Sequence, residues 1–563
     1  MRPTRGMVVA PQPYAVEEGA KVLHMGGNAF DAAIATAFVQ MVVDPQMCGV
    51  AGFGCMTLYD AGRDEAQVID FNATAGARAT PEMWADRIVD EAWSGYGWIL
   101  KDHVNDIGYG AIATPGTVAG LAELHRRHAT LPWADLLQPA IRYARDGYLI
   151  GPELLRGWLQ QVHHAVSGQQ DRIGYSAEGR RIYLTADGSV PQLGARIRNP
   201  EYAATLERIA AGGPESFYTG ELAERMVADI AVHGGTVTLE DLRAYQPRVS
   251  TPVRGSYLGY DLATNPAPGG GPTVIGILNI LEGYDLCAMG FGSVDHVYTV
   301  ARAQAAAMAD RQALVGDPAF VDVPTERLIA KERAAEWRGR LDVGERVTVP
   351  RYHPDSPTTT NVSVCDRDGN CIALTHTLGS SNGTITPGLG FMYNNAMNCF
   401  DPRPGRVNSI APGKGRITGI CPTIAFKNDA PALVLGAPGG TRIMTGVQQV
   451  IVNVLAYRMS AVEAVSAPRV DCQSDILDGE ARIPSFIRRA AAERAGLTYV
   501  PNPAPYGNFA LVQAITIDAE TGAVAGGADP RSGGAAMGDD FGSILPGDTA
   551  SDGAKAAPFQ SPF

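Results

Sequence analysis

A β-hairpin in the last third of the chain constrains the fold more than any other sequence feature. Residues 361–378, NVSVCDRDGNCIALTHTL, hold two apolar-rich runs on either side of Asp368–Gly369, a dipeptide that favours tight antiparallel turns. The stretches 422–438, PTIAFKNDAPALVLGAP, and 509–530, FALVQAITIDAETGAVAGGADP, have the same form. Three hairpins in succession predict a strand-rich C-terminal part built from antiparallel pairs.

The first two thirds of the chain have a mainly helical pattern. Gly26–Gly27 end a first helix, and Asn28 is a suitable N-cap for a second helix from about Ala29 to Val43. This second helix is apolar nearly all round, which predicts that it is buried. Further helices are expected over about 205–245 and about 293–316. The sequence therefore predicts a mixed α/β (α+β) protein, with helices first and most strands later.

Charge and hydropathy exclude several classes of partner. The chain of 563 residues has a formal net charge of -13, whereas a nucleic-acid or anionic-membrane partner requires a basic face. No stretch approaches the 18 or so uninterrupted apolar residues of a membrane span. The N-terminal stretch lacks the apolar region of a secretory signal. We therefore predict a cytoplasmic protein with a small-molecule substrate and no nucleic-acid or membrane partner.

No motif for a metal or a cofactor stands out. The eight cysteines form no CxxC pairs and show no zinc spacing, so we expect free, buried thiols. The glycine-rich stretch NPAPGGGPTV opens a helix but does not match the dinucleotide pattern. We predict neither a metal site nor a cofactor. The glycine- and proline-rich segment 539–563 is predicted to be a disordered tail.

Three consecutive threonines, Thr358, Thr359 and Thr360, precede the first hairpin. Threonine favours strands, so ordinary strand formation explains them without any function. The alternative is an N-terminal nucleophile. If the chain is cut just before one threonine, the new α-amine has a pKa near 8 and can act as the base for that residue's own hydroxyl.

Such chemistry requires two further groups, and the sequence offers both. Thr375 and Thr377 lie on the returning strand of the same hairpin, and alternation places both side chains on one face. The segment 436–442, GAPGGTR, follows a buried-looking strand, and its paired glycines let backbone N–H groups approach a developing oxyanion.

In these segments the chain resembles the γ-glutamyltransferase family of N-terminal nucleophile hydrolases. The resemblance covers about residues 6–538, and the order and spacing of its motifs make it specific. The motifs are GGNAFDAAIA, VIDF, TPGTVAG, YARDG, GSVDHVY, ADR, TTNVSVCDRDGN, LTHTL, YNNAMNCF, CPTIAF, GAPGGTRI and GGADPR.

The resemblance implies both a catalytic set and a fold. It aligns Thr359 with the nucleophile, Thr377 with the second active-site threonine, and Gly439 and Gly440 with the oxyanion hole. It implies self-cleavage between Thr358 and Thr359 into a large subunit, 1–358, and a small subunit, 359–563, which together form a unit that can pair with a second one. The implied fold is a four-layer αββα sandwich formed jointly by both chains.

The substrate pocket departs from the family pattern. The family grips the α-carboxylate of a γ-glutamyl group with Arg and its α-ammonium with Asp, and this chain has Asn72 and Cys399 at those positions. Four more pocket positions differ: Gly379, Ala396, Thr418 and Gly419. Each lost charge-assisted bond is worth about 1.5–3 kcal/mol, so γ-glutamyl binding should weaken by about 10²–10⁴-fold. We therefore expect a less charged pocket and poor turnover of glutathione.

An alternative is that another arginine, brought close to Asn72 by the fold, takes the place of the arginine that is missing at this position. Arg78 and Arg442 are the candidates from the sequence, and Arg442 is either an anchor for an anionic substrate or a structural residue.

The sequence thus predicts a self-processing threonine hydrolase that cleaves an amide or related acyl bond of a non-γ-glutamyl substrate. The resemblance extends to relatives of natural-product or catabolic pathways, including some that hydrolyse C–C bonds. The alternatives are a genuine γ-glutamyltransferase with a rebuilt pocket and an inactive binding scaffold.

Overall fold

The computed structural model describes residues 2–91, 98–159, 168–347, 349 and 359–540. The helices are α1 (Pro13–His24), α2 (Ala29–Val43), α3 (Thr117–His128), α4 (Trp133–Asp146), α5 (Pro152–Leu159), α6 (Gln169–Ile173), α7 (Ala177–Tyr183), α8 (Pro200–Gly212), α9 (Glu215–Tyr218), α10 (Glu221–Val232), α11 (Leu239–Ala244), α12 (Gly271–Leu281), α13 (Leu286–Met289), α14 (Val294–Leu314), α15 (Thr325–Leu328), α16 (Lys331–Asp342), α17 (Arg442–Leu455), α18 (Ala461–Ser466) and α19 (Ser485–Ala495).

Most strands belong to two antiparallel sheets. The strands are β1 (Met7–Ala10), β2 (Phe53–Asp60), β3 (Glu65–Phe71), β4 (Ile88–Glu91), β5 (Trp98–Leu100), β6 (Tyr148–Leu149), β7 (Arg196–Ile197), β8 (Arg248–Ser250), β9 (Val253–Tyr257), β10 (Tyr260–Thr264), β11 (Thr360–Cys365), β12 (Cys371–Thr377), β13 (Thr423–Lys427), β14 (Ala430–Gly436), β15 (Val470–Asp471), β16 (Ile476–Gly479), β17 (Thr498–Tyr499), β18 (Gln513–Ile517), β19 (Val524–Gly527) and β20 (Ala535–Gly538).

The first sheet has the order β20-β1-β11-β12-β2-β3-β8, and the second has the order β19-β18-β14-β13-β10-β9. The three predicted hairpins are β11–β12, β13–β14 and β18–β19, and all three are antiparallel pairs. The second and third hairpins lie side by side in the second sheet, because β14 pairs with β18. The prediction of antiparallel hairpins is confirmed.

Three buried clusters show four layers. One cluster joins α1, α2, α4 and α8 to the outer face of the first sheet. A second joins α12, α14, α16 and α17 to the outer face of the second sheet. Between the two sheets lies a third cluster of small and aliphatic side chains, among them Val9, Ala373, Ile424 and Ile515. The αββα sandwich is therefore confirmed.

Helix α2 lies inside the first helical layer. All fifteen of its residues are buried, and the Asn28 side chain accepts hydrogen bonds from the backbone N–H groups of Phe30 and Asp31. The predicted cap and bounds of this helix are confirmed. Because Gln40 of α2 reaches the first sheet, the helix also contacts the start of β11.

The part of the chain before residue 359 contributes more strands than its pattern predicts. It supplies β1, β2, β3 and β8 to the first sheet and β9 and β10 to the second. Each sheet thus mixes strands from both sides of the predicted cleavage bond. This mixing explains how two subunits can share one core after cleavage.

Three further predictions concern the tail, the membrane and the cysteines. Asp539 and Asp540 of the predicted tail belong to the described structure, and Asp539 forms an ion pair with Arg367 at 2.6 Å. The rest of that prediction, residues 541–563, lies outside the described residues. Within the described residues no helix is both long and apolar enough to cross a membrane. All eight cysteines are free thiols, and seven of them are buried.

Candidate active site

Thr359 and Thr360 point to opposite faces of the first sheet. The Thr360 hydroxyl donates to Gln12 Oε1 at 3.0 Å and accepts from Gln40 Nε2 at 2.9 Å, so it belongs to the helix-facing side. Alternation along the strand turns Thr359 toward the second sheet. Thr358 lies outside the described residues. Of the three consecutive threonines, the structure describes Thr359 and Thr360, and Thr359 is the one that lines the pocket.

Thr377 is the nearest hydroxyl partner of Thr359. The pairing of Thr360 with His376 places Thr359 and Thr377 opposite each other at the ends of β11 and β12. The Thr359 hydroxyl donates to Thr377 Oγ1 at 3.1 Å, and Thr377 Oγ1 accepts the Gly379 N–H at 2.8 Å. Thr375, the other sequence candidate, instead forms a hydrogen bond of 2.8 Å with the side-chain amide of Asn361.

No ordinary side-chain base accompanies this pair. His376 is adjacent in sequence, but its side chain lies on the other face of the sheet, 2.9 Å from Gln40 Oε1. Burial lowers the pKa of His376 to about 3, so the ring is neutral. Among the described residues that line the pocket at Thr359, none is Asp, Glu or His. The lining of this pocket therefore supplies no side-chain base, and the α-amine of an N-terminal nucleophile is a candidate for that role.

The glycine pair lies at the start of helix α17. Gly439 has φ +146° and Gly440 has φ +56°, which are backbone conformations that other residues rarely adopt. A Cβ at Gly439 would lie 2.7 Å from Ala510 Cα. Gly440 lines the same pocket as Thr359. Backbone N–H groups at the N-terminus of a helix favour a negative charge, so this turn is suited to an oxyanion.

Four of the predicted substrate residues line this pocket, namely Gly379, Cys399, Thr418 and Gly419. Gly379 has φ +76°, and a Cβ there would lie 2.1 Å from Asn395 Oδ1, so no side chain fits at this position. Cys399 ends a 3₁₀ helix, Ala396–Cys399, and its thiol donates to Asn398 Oδ1 at 3.0 Å.

Comparison with known proteins agrees with this geometry. The family model described as Gamma-glutamyltranspeptidase matches residues 15–539.

The chain belongs to the γ-glutamyltranspeptidase family.

Three relatives illustrate the range of this family. The Acylase ACY 1 proenzyme of a Pseudomonas species is 39% identical over 496 residues, 87% of this chain and 87% of the relative. The Glutathione hydrolase proenzyme of Escherichia coli is 33% identical over 488 residues, 83% of this chain and 81% of the relative. The crystal structure of cephalosporin acylase from Bacillus halodurans has a TM-score of 0.83 at 28% identity, covering 95% of this chain and 96% of that one. This family member is thus an enzyme of the N-terminal nucleophile hydrolase type.

Two predicted substrate residues do not line the pocket of this family member. Asn72 is buried, and its side-chain amide donates to the backbone carbonyl of Arg416 at 2.7 Å. Ala396 is buried in the 3₁₀ helix, where its N–H donates to Asn394 Oδ1 at 3.1 Å. Both residues are absent from the pocket lining, so a direct substrate contact from either is not supported.

Neither arginine proposed from the sequence is among the described lining residues of the pocket. Arg442 is buried, with Nη2 2.6 Å from Asp478 Oδ2 and Nε 3.8 Å from Asp471 Oδ2, so it has the structural role that was its alternative. Arg78 is exposed at the surface.

Arg416 is the pocket residue that sequence reasoning missed. It is 6% exposed and lines the pocket together with Thr359 and Thr377. Its guanidinium carbon lies 4.8 Å from the centre of the Phe53 ring. The sequence clue that could have identified it is its position two residues before Thr418, in a segment that the resemblance assigns to the pocket. The described lining of this pocket thus keeps one cation and contains no carboxylate, which agrees with the expectation of a less charged pocket.

A second and larger cavity meets Thr359 from another side. It has a volume of about 440 Å³, and its lining includes the apolar side chains of Tyr14, Met47, Leu154 and Phe509. Thr359 is the residue common to the lining of both cavities. Within the described part of the chain, no three His, Cys, Asp or Glu side chains are placed to hold a metal ion.

Proposed function

We propose that this chain is a self-processing threonine hydrolase that cleaves the amide bond of an acyl group other than γ-glutamyl. A cut between Thr358 and Thr359 would free the α-amine of Thr359. Two subunits, 1–358 and 359–563, would then share the two sheets.

The catalytic cycle uses groups that surround Thr359. The α-amine accepts the proton of Thr359 Oγ1 as the oxygen attacks the substrate carbonyl, and Thr377 Oγ1, 3.1 Å away, orients the nucleophile. N–H groups of the Gly439–Gly440 turn stabilise the oxyanion. The C–N bond breaks as the leaving amine takes the proton. Water then attacks the acyl ester, which releases the acid and restores the Thr359 hydroxyl.

One observation carries the choice of substrate. A γ-glutamyl group brings an α-ammonium, and the small pocket that Thr359 shares with Cys399 has no carboxylate among its described lining residues. Asp44 and Glu153 line the larger cavity instead. The thiol of Cys399 lies where the family resemblance places the acidic partner. Burial of an ammonium without a counter-ion is unfavourable, so this pocket disfavours γ-glutamyl groups. The acylase relative supports the same conclusion.

The two cavities suggest how an amide substrate divides at the scissile bond. The small pocket with Arg416 and the glycine turn would hold the acyl group. The cavity of about 440 Å³ with its apolar side chains would hold the leaving amine. An amine with an aromatic or other apolar body fits this lining.

Self-processing is tested by denaturing electrophoresis and intact mass measurement. The purified protein should give two chains of about 38 and about 21 kDa by length scaling, the smaller one beginning at Thr359. A Thr359→Ala variant should remain a single chain of 59.4 kDa without activity. An active wild-type protein that stays uncut would rule out this mechanism, and an uncut inactive protein would favour the binding-scaffold alternative.

Substrate choice is tested with a matched pair of anilides. γ-Glutamyl-p-nitroanilide and glutaryl-p-nitroanilide differ only in the α-ammonium. We expect kcat/KM to be at least about tenfold higher for the glutaryl compound, since one charge-assisted bond is missing for the ammonium. The reverse preference would support the second candidate, a true γ-glutamyltransferase, which the glutathione hydrolase relative and the remaining cation at Arg416 favour.

A further inference from the structure

Asp44 is a carboxyl group that lines the larger cavity without a cation beside it. It follows the last residue of helix α2 and is half-buried. The Gln12 side-chain amide donates to Asp44 Oδ2 at 2.6 Å, and the Gln46 amide donates to Asp44 Oδ1 at 2.6 Å. Among the described residues, no lysine, arginine or histidine lies within ion-pair distance of this carboxyl. Two neutral amides thus fix its orientation and leave its charge unmatched.

The other charged groups in the described lining of this cavity have a counter-charge. Arg531 pairs with Glu480 at 2.6 Å. Arg156 pairs with Glu153, and their side chains are 64% and 42% exposed, so water screens both charges. A cation that enters the cavity therefore finds its unpaired partner at Asp44.

The surroundings of Asp44 favour a cation. The C-terminal end of a helix has a partial negative charge, and the last turn of α2 contains no basic residue that would meet it. Burial raises the pKa of Asp44 to about 7, because its charge is unfavourable there when no cation is present. A bound cation would stabilise both the carboxylate and the helix end.

A second polar group beside this cavity lacks a partner. Tyr148 lines the cavity and is 3% exposed, and its hydroxyl makes no hydrogen bond with any described residue. Burial raises the pKa of this hydroxyl, and Tyr183 and Asp44 raise it further, so Tyr148 lies within electrostatic reach of the Asp44 carboxyl. Because a buried hydroxyl is normally hydrogen-bonded, Tyr148 and Asp44 together offer acceptors to one ligand group.

We propose that Asp44 and Tyr148 bind a cationic group on the leaving amine, so that the substrate is an amide whose amine part carries an ammonium or guanidinium beyond an apolar body. This inference rests on the proposed amide hydrolase and names the class of its leaving group. Thr359 lines the same cavity, so an amine released at Thr359 occupies the space that Asp44 faces. Its apolar body would contact cavity side chains such as Tyr14 and Phe509.

The test uses two substrates that differ in one charge on the leaving amine. Glutaryl-4-(aminomethyl)anilide ends in an ammonium, and glutaryl-4-(hydroxymethyl)anilide ends in a hydroxyl of nearly the same size. At pH 8, where Asp44 is mostly ionised, kcat/KM of the wild type should be about 10- to 100-fold higher for the ammonium, since one charge-assisted bond is worth that factor. The released amines are separated and measured by chromatography.

Three variants locate the preference. Asp44→Asn keeps the shape of the side chain and should remove most of the ratio between the two substrates. Glu153→Gln makes the same change at the exposed carboxyl of this cavity and should retain the wild-type ratio. Tyr148→Phe should lower the ratio by about threefold to tenfold without lowering the urea midpoint of unfolding, because its hydroxyl has no hydrogen-bond partner to lose.

Two results would overturn the inference. One is equal kcat/KM for the two anilides in the wild type. The other is a Glu153→Gln enzyme that loses the preference as fully as Asp44→Asn, which would assign the preference to the general field of the cavity.

A binding measurement decides the case even if no variant folds or glutaryl is not the acyl group. In calorimetric titrations of the wild type at pH 8, 4-(aminomethyl)aniline should bind at least about tenfold more tightly than 4-(hydroxymethyl)aniline, and equal binding would refute the site. Failure of the proposed function looks different, because it would appear as absence of self-cleavage or as a preference for γ-glutamyl over glutaryl anilide.

Discussion

Replacement of Thr377 by Val tests the hydroxyl pair at the centre of the site. Valine has nearly the shape of threonine, so the change removes the hydroxyl and leaves the packing of β12 intact. Thr377 Oγ1 lies 3.1 Å from the Thr359 hydroxyl and 2.8 Å from the Gly379 nitrogen. The variant thus removes the acceptor that orients the nucleophile and the acceptor that fixes the following turn.

The two lost hydrogen bonds should differ in their free-energy cost, one acting on folding and the other on the transition state. The Gly379 N–H is only partly buried, so its lost bond should lower the free energy of unfolding by about 1 kcal/mol. The nucleophile loses an oriented hydrogen bond in the transition state, which we put at about 1.5–3 kcal/mol. At about 1.4 kcal/mol per factor of ten, kcat/KM should fall by about 10- to 100-fold. Activity should therefore suffer more than stability.

Two matched variants accompany this experiment. Thr377→Ser keeps the hydroxyl and should retain activity within about threefold of wild type. Thr375→Val makes the same chemical change two residues away, where the hydroxyl bonds Asn361 and does not contact Thr359. It should lower stability with little effect on kcat/KM in the processed enzyme.

The measurements are kcat/KM on an acyl anilide, the rate of self-cleavage, and the urea midpoint of unfolding. A Thr377→Val enzyme that turns over within about threefold of wild type would show that Thr377 does not orient the nucleophile. An equal loss of activity in Thr375→Val would show that the effect belongs to the sheet in general.

Two further predictions concern the glycine turn and the half-buried acid Asp44. Gly439→Ala should lower kcat by about 100-fold, measured on the same anilide, because its Cβ would lie 2.7 Å from Ala510 Cα and displace the oxyanion donors; unchanged kcat would contradict this role. Burial raises the pKa of Asp44 to about 7 from 3.8, so the folded state holds a proton that the unfolded chain releases, and stability falls as the pH rises between these values. Asp44→Asn should flatten the fall of Tm from about pH 4 to about pH 7, whereas the exposed control Asp322→Asn should not.

Hairpins and buried helices could be predicted because their signals are local. The Asp368–Gly369 turn and the alternation around it specify β11 and β12, and the capped apolar run specifies α2. The early strands were harder to recognise. Strands β9 and β10 contain Gly, Ser and Asp, and β10 joins the sheet by pairing with β13 from a distant part of the chain, while β9 pairs with β10. Long-range pairing of this kind leaves little trace in a short window of sequence.

The candidate site likewise contains one part that local sequence predicts and another that depends on long-range contacts. Register alone places Thr359 opposite Thr377, since the two residues flank a local hairpin. The cation of the pocket could not be found in that way. Arg442 follows the glycine turn, and from the sequence it is a candidate anchor for an anionic substrate. In the structure it instead forms an ion pair with Asp478 of strand β16. Arg416 reaches the pocket because Asn72 and Phe53 hold it, and both contacts are long-range. Which arginine remains free for a ligand depends on where the carboxylates lie in space.

Cys399 offers a way to reverse the proposed specificity. It lines the pocket with Arg416 and is 6% exposed, so a substituted side chain would face the acyl group. Cys399→Asp adds a carboxylate that can pair with an α-ammonium, worth about 1.5–3 kcal/mol, and that repels the free carboxylate of a glutaryl group. The ratio of kcat/KM for γ-glutamyl over glutaryl anilide should rise by at least about tenfold, whereas Cys399→Ser, which adds no charge, should leave the ratio near that of wild type. If both variants change the ratio alike, position 399 acts through packing, and the missing ammonium partner does not explain the substrate choice.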